Sequence, residues 1–170
     1  EKALDPKGVR VFYQWIRAGV AADKPWNTFA RELVAGRGST YEHPEANLYR
    51  SLREPLGRAE AVAQVFLGVR IACAKCHNHP FDRWTMDEYH RFAALFSRVN
   101  YRVVENRRSD KNDKHLFDGE QVVYMDRTGE WTHPRTNEPA IPKLLGVAGD
   151  VPPDADRLGA LADWVAAGDN

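Results

Sequence analysis

The sequence predicts a mainly α-helical fold with a small β-hairpin and long irregular loops. Two observations favour this fold class. Apolar residues recur at helical spacing in most of the longer stretches, whereas short β-type segments occur only after residue 100. The chain has 170 residues, of which 43% are hydrophobic and 28% charged, as in ordinary globular proteins. We therefore expect residues 1–170 to form a single domain.

The first half of the chain predicts three helices. Residues 9–22 carry apolar side chains at helical spacing, and Pro25 suits the start of a second helix that ends at Gly36. The strongest pattern runs over residues 58–77, where apolar positions continue as far as Cys73. This pattern predicts one long helix with Cys73 on its buried face.

The second half predicts shorter elements. A capping box over residues 85–88 opens a helix at 85–99, in which His90 is expected to lie off the core face. A charged run at 105–120, which contains His115, predicts an exposed loop. The other expected elements are a strand at 101–104, a hairpin of 121–125 with 130–133, an irregular Pro- and Gly-rich stretch at 134–153, and a helix at 156–167.

The apolar faces of the helices predicted at 9–22, 58–77 and 85–99 are expected to pack together. This packing predicts one core that contains Phe66, Val69, Phe92 and Phe96.

The charge balance excludes some classes of partner. The 24 basic side chains equal the 24 acidic ones, which argues against a dedicated nucleic-acid or anionic-membrane binder. No apolar run is long enough to predict a membrane span in this segment. The sequence begins at Glu1 rather than Met, and we expect it to be a piece of a larger multidomain protein.

The most informative motif is the pentapeptide Cys73-Ala74-Lys75-Cys76-His77, which contains the only two cysteines of the chain. The C-x-x-C-H pattern is typical of c-type haem attachment. Two thiols one turn apart can each add across a vinyl group of one porphyrin, and the following histidine can then ligate the iron. The motif therefore predicts haem c, with Cys73 and Cys76 as covalent anchors and His77 as the proximal axial ligand.

Three other interpretations of the motif remain open. Cys73 and Cys76 could form a disulfide, or they could be inert buried core residues. Zinc could be bound by these two thiols together with His77 and His79, because thiolates and imidazoles are its usual ligands. Structural zinc sites usually draw a second ligand pair from a separate segment, however, and the chain has no second C-x-x-C and no H-x-x-x-H.

Several stretches together resemble one family. Residues 65–70 (VFLGVR) and 73–84 (CAKCHNHPFDRW) are similar to the planctomycete cytochrome-like domain, a domain of unknown function found in large exported bacterial proteins. Further similar stretches are FAREL at 29–33, ANLYR at 46–50, VVY at 122–124, HPRT at 133–136 and LADW at 161–164. Asn137 departs from the family, which tends to have Gly there. The resemblance covers nearly the whole chain and implies the same covalent haem.

The remaining candidates for the haem site lie after the motif. Phe81, Arg83 and Trp84 are expected to surround the porphyrin or contact a propionate group. Met and His are the usual axial partners on the second face of the iron. The predicted hairpin offers both, and we favour His133 as the distal ligand because it begins the family-like HPRT stretch, with Met125 as the alternative.

These features predict a c-type cytochrome domain that transfers electrons to or from a neighbouring domain of the same polypeptide or a redox partner protein. An alternative is a haem module with an open distal site for peroxide or small-ligand chemistry. A third is a zinc-stabilised interaction domain. Motifs for hydrolytic catalysis are absent from the sequence, so electron transfer is favoured over an enzymatic role. Because haem c is attached outside the cytoplasm, a periplasmic or exported location is expected.

Overall fold

A computed structural model describes residues 4–109 and 118–167, and it confirms the mainly α fold class. His115 lies outside the described residues. None of the helices in these ranges is long and apolar enough to cross a lipid bilayer. The described helices are α1 (Pro6–Ala21), α2 (Trp26–Ala35), α3 (Asn47–Ser51), α4 (Pro55–Phe66), α5 (Met86–Ala93) and α6 (Arg157–Ala166), and the strands are β1 (Gly38–Ser39), β2 (Val99–Val103) and β3 (Gln121–Met125).

Local sequence signals fix where several helices begin. The capping box of α5 is confirmed: Thr85 Oγ1 accepts a hydrogen bond from the Glu88 N–H at 3.1 Å, and Glu88 Oε2 accepts one from the Thr85 N–H at 3.0 Å. Asp5 caps α1 and Asp156 caps α6 in the same way, through backbone N–H groups of the first turn. These bonds satisfy N–H groups that have no partner inside the helix.

The prediction of one helix over residues 58–77 is wrong in its second half. α4 ends at Phe66, and Gly68 then adopts a φ of +69°, a conformation that side chains with a Cβ seldom tolerate. The chain turns back there, and the Val69 N–H donates to the carbonyl of Ala63 at 3.1 Å. The cysteine segment consequently lies beyond the helix, in a separate 3-10 turn over Ala72–Lys75.

The predicted hairpin is also wrong, because β3 finds other partners. The sheet has the order β1-β3-β2, and both pairs are antiparallel. β2 pairs with β3 along its full length, from Val99↔Met125 to Val103↔Gln121. Residues 130–133 contribute only an isolated bridge between Thr132 and Pro139. Val99 and Val123, which lie in this longer register, are buried.

The core lies between α4, α5, α6 and the sheet. Phe92 and Phe96 are fully buried there, and Phe66 and Val69 pack partly buried against it, as the sequence predicts. The expected packing of the first helix into this core is wrong, since α1 contributes none of the core residues described. Its apolar side chains lie instead near the surface, where the Trp15 ring stacks on Phe29 at 4.7 Å.

Two buried arginines hold the chain directly after α5. Arg58 Nη1 donates to the carbonyl of Phe96 at 2.9 Å, and its Nε donates to the carbonyl of Leu52 at 2.7 Å. Arg157 Nη1 donates to the carbonyl of Ala94 at 3.1 Å. Burial lowers the pKa of Arg58. These bonds replace the water that a buried guanidinium loses, and they fix the turn that follows α5.

Replacement of Phe92 by alanine should lower the free energy of unfolding by about 3–5 kcal/mol, because its ring is fully buried and alanine would leave a cavity. Urea denaturation followed by far-ultraviolet circular dichroism measures this change. The matched control is Phe81→Ala, at a ring that is 95% exposed, where we expect a change within about 0.5 kcal/mol. A cost below about 1 kcal/mol for Phe92→Ala would contradict its place in the core.

Candidate functional site

The C-x-x-C-H segment forms an exposed turn. Cys73, Ala74 and Lys75 belong to the 3-10 turn Ala72–Lys75. Ala74 is packed in the core with no exposed surface. Cys76 follows the turn as its C-cap, and the two cysteine side chains are not near each other. Cys73 and Cys76 are both exposed, and both are free thiols. The expected burial of Cys73 is therefore wrong, because the turn anchors itself through Ala74 instead.

His77 follows the turn and is exposed. Its Nδ1 lies 2.7 Å from the carbonyl oxygen of Asn78. A carbonyl can only accept, so Nδ1 must carry the hydrogen, and in the neutral ring Nε2 then carries the lone pair. Histidines that ligate metals commonly donate their other N–H to a backbone carbonyl in this way.

His90 is a buried residue that the sequence analysis places off the core face. Contrary to that expectation, it is only 2% exposed. Its Nε2 lies 3.1 Å from the carbonyl of Lys75, and its Nδ1 accepts a hydrogen bond from Trp131 Nε1 at 3.1 Å. Burial, as the largest cause, lowers the pKa of His90. Both ring nitrogens are occupied, so this neutral histidine offers no lone pair to a metal.

A signal for the burial of His90 was present in the sequence. It precedes Ala93 and Ala94 by three and four residues, and both alanines are fully buried. Residues at these spacings share one helix face. Small residues on a helix face leave room for a neighbouring segment to approach closely, and here the Trp131 ring stacks against His90 with an interplanar angle of 8°.

His133 lies next to His90 in the structure. The two ring centroids are 5.0 Å apart in an edge-to-face arrangement, and His133 is 3% exposed. Its Nδ1 accepts a hydrogen bond from the Arg135 N–H at 3.2 Å, while its Nε2 has no hydrogen-bond partner among the described residues. His133 thus contacts His90, which in turn contacts the cysteine turn through the Lys75 carbonyl. Iron ligation through Nε2 would move the proton to Nδ1 and break the bond from Arg135.

Met125, the alternative distal ligand, occupies a different place. It lies at the end of β3, partly buried against the core. It lines a cavity of about 250 Å³ together with Arg37, Arg98 and Arg157. None of the five motif residues lines that cavity.

The three residues expected around the porphyrin separate into two groups. Trp84 is buried, and the Arg83 guanidinium lies 4.5 Å from the centre of its ring. The two residues line a cavity of about 200 Å³, with Phe66 and Trp164 on its wall. Phe81, in contrast, is almost fully exposed. This cavity is smaller than the ~300–1,000 Å³ of typical ligand sites, and none of the five motif residues lines it.

The donor set around the motif does not form a zinc site by itself. In the described ranges, 4–109 and 118–167, no group of three or more His, Cys, Asp or Glu side chains is arranged to hold a metal ion. The His79 Nδ1 is engaged locally, where it accepts a hydrogen bond from the Phe81 N–H at 3.3 Å.

Comparison with known proteins gives one match. The family model PSCyt2, described as a protein of unknown function (DUF1549), matches residues 2–101, which is more than half of the chain. No curated protein and no solved structure matches the chain.

The buried His90 should make stability depend on pH. Its pKa in the folded protein lies below the ordinary value of 6.5, so the unfolded chain binds a proton more readily than the folded one. The stability that comes from keeping His90 neutral should therefore be fully present above pH ~6.5. The free energy of unfolding should decrease as the pH falls below that value. Urea titrations between pH 8 and pH 5 measure this slope.

The control for this prediction is His90→Phe, which removes the titrating group while keeping a planar ring. Subtracting the variant's pH profile from that of the wild-type protein cancels the titration of the other histidines. The difference should decrease towards acid pH. A difference that is flat over this range would show that His90 does not carry the pH dependence.

Proposed function

The chain belongs to the PSCyt2 family, a planctomycete cytochrome-like family of unknown function, and from this premise we propose that it is a c-type haem-binding domain that transfers electrons. The observation that carries the proposal is the exposed C-x-x-C-H turn. Cys73 and Cys76 are free and accessible in this turn, as thioether formation requires. Ala74 anchors the turn in the core, so that the two thiols face outward.

His77 supports the proposal through its hydrogen bond. The Asn78 carbonyl holds the Nδ1–H of the ring and leaves Nε2 free to act as the proximal ligand. This exposed histidine directly follows the second anchor, so an iron bound there would lie outside the protein core.

The bound haem would supply one-electron redox chemistry. Arg83, at the wall of the cavity beside Trp84, provides a positive charge suited to a propionate. Because both thiols are exposed, most of a porphyrin attached to them would lie outside this domain, where a partner can approach it closely. This exposure favours electron exchange with a neighbouring domain of the same polypeptide or a separate redox protein. Because haem c is attached outside the cytoplasm, the proposal includes a periplasmic or exported location.

A second candidate function is a haem module with an open distal position. The hydrogen bond from the Arg135 N–H to His133 Nδ1 favours it, because this bond opposes the tautomer that ligates through Nε2. If that bond persists, the second axial position remains available to a small ligand such as peroxide.

Covalent haem is the first prediction of this proposal. Protein matured in an export-competent host with the haem c attachment machinery should keep its porphyrin in denaturing gels and after acid–acetone extraction. Mass spectrometry should show the addition of one haem. The double variant Cys73→Ser, Cys76→Ser is the matched control and should take up no covalent haem. Wild-type protein that shows no haem-sized addition would rule the proposal out.

The distal ligand is tested by a pair of variants. If His133 binds the iron, His133→Ala should convert a six-coordinate low-spin spectrum into a high-spin one and increase the affinity for carbon monoxide, whereas Met125→Ala should do little. The reverse pattern would assign the ligand to Met125. A wild-type spectrum that is already high-spin would favour the open distal site instead. Far-ultraviolet circular dichroism verifies that both variants fold.

A further inference from the structure

His90 connects the cysteine turn to two other parts of the chain. Its backbone belongs to α5, its Nε2–H reaches the Lys75 carbonyl, and its Nδ1 receives the Trp131 N–H. Its ring also makes edge-to-face contacts with the rings of Tyr89 and His133, each at a centroid distance of 5.0 Å. One buried side chain therefore holds the turn, α5 and the 131–133 segment together.

The position of the bonded carbonyl matters. Lys75 lies between the two cysteines and is the last residue of the 3-10 turn. Carbonyls at the end of such a turn have no partner within it and must be satisfied from outside. His90 supplies that partner from the buried side, while the thiols face solvent.

The indole of Trp131 determines which nitrogen of His90 can donate. Because Trp131 Nε1–H can only donate, His90 Nδ1 must accept, and the single ring proton is held on Nε2. The proton thus lies where the Lys75 carbonyl needs it. Without the indole bond the ring could adopt the other tautomer and lose its donor to the turn.

We infer that His90 is a positioning residue for the haem-attachment turn, and that Trp131 fixes it in the donating tautomer. This inference rests on the proposed function, because haem attachment is the role that it assigns to the turn. The way in which His90 acts rests on the hydrogen bonds described above. His90 does not touch the cofactor. It acts through the Lys75 backbone, which it keeps in the conformation that presents both thiols and His77 outward.

Two variants of His90 separate this role from simple packing. In His90→Phe the ring is kept and the donor is lost. In His90→Gln the side-chain amide can replace the Nε2–H bond to Lys75. In haem-free protein, amide hydrogen exchange at residues 72–77 should become about tenfold faster in His90→Phe, which corresponds to the loss of one hydrogen bond. His90→Gln should stay within about twofold of the wild-type rate, and the rate in α2 should change in neither variant.

Equal exchange rates at residues 72–77 in the Phe and Gln variants would overturn the inference, and so would an acceleration that extends equally to α2. A measurement on the wild-type protein does not depend on either variant folding. Nitrogen-15 spectra of the imidazoles at pH 7 should show His90 as the Nε2–H tautomer. The Nδ1–H tautomer, or an imidazolium, would also overturn the inference.

The same variants distinguish this inference from the proposed function. After maturation with the haem attachment machinery, His90→Phe should carry less covalent haem than His90→Gln. If wild-type protein takes up no haem although the turn loosens in His90→Phe, the proposed function fails and the positioning role stands. If wild-type protein takes up haem but the turn is unchanged in His90→Phe, the positioning role fails alone.

Discussion

The placement of α5 depends on two buried guanidinium groups that hold the turn after it. Arg58 binds the carbonyl of Phe96, and Arg157 binds that of Ala94. A buried charge without such partners would cost several kcal/mol, so the 94–96 turn can occupy few other positions. Because α5 carries His90, this constraint extends to the Lys75 carbonyl and hence to the cysteine turn.

A buried ion pair holds the amino end of α1. Asp5 and Arg50 form an ion pair at 2.8 Å in which both side chains are fully buried. The Tyr41 hydroxyl donates to Asp5 at 2.7 Å, and burial together with this carboxylate raises the pKa of Tyr41 to about 12. Asp5 also caps α1. The first helix is thus held at its amino end by charge and hydrogen bonds, which explains how it can keep much of its apolar face outside the core.

The sequence was sufficient where a local rule decides the structure. The capping box at Thr85 and the apolar spacing of Phe92 and Phe96 depend on neighbours within one or two turns, and the structure confirms them. It was insufficient where distant segments compete. Gly68 ends a helix whose apolar spacing continues beyond it, and tertiary packing pairs β3 with β1 and β2 rather than with residues 130–133.

In the candidate site, too, local features could be predicted from the sequence and long-range contacts could not. The motif itself was evident from residue spacing, and its resemblance to a cytochrome-like family agrees with the PSCyt2 match. The burial of His90 depends on Trp131, which is 41 residues away in the chain. No local pattern predicts that a tryptophan from a loop will donate to a helix histidine, since such a contact is determined by the fold as a whole.

The segment that matches the family model and the packed core of the structure have different limits. The family match ends at residue 101, in the middle of β2. Beyond that point lie β3, which supplies the pairing partner of β2, and α6, whose Leu158 and Leu161 are buried in the shared core. A fragment truncated at residue 101 would expose an unpaired strand edge and an apolar helix face, the features that promote aggregation. A fragment of this chain chosen for expression should therefore include α6.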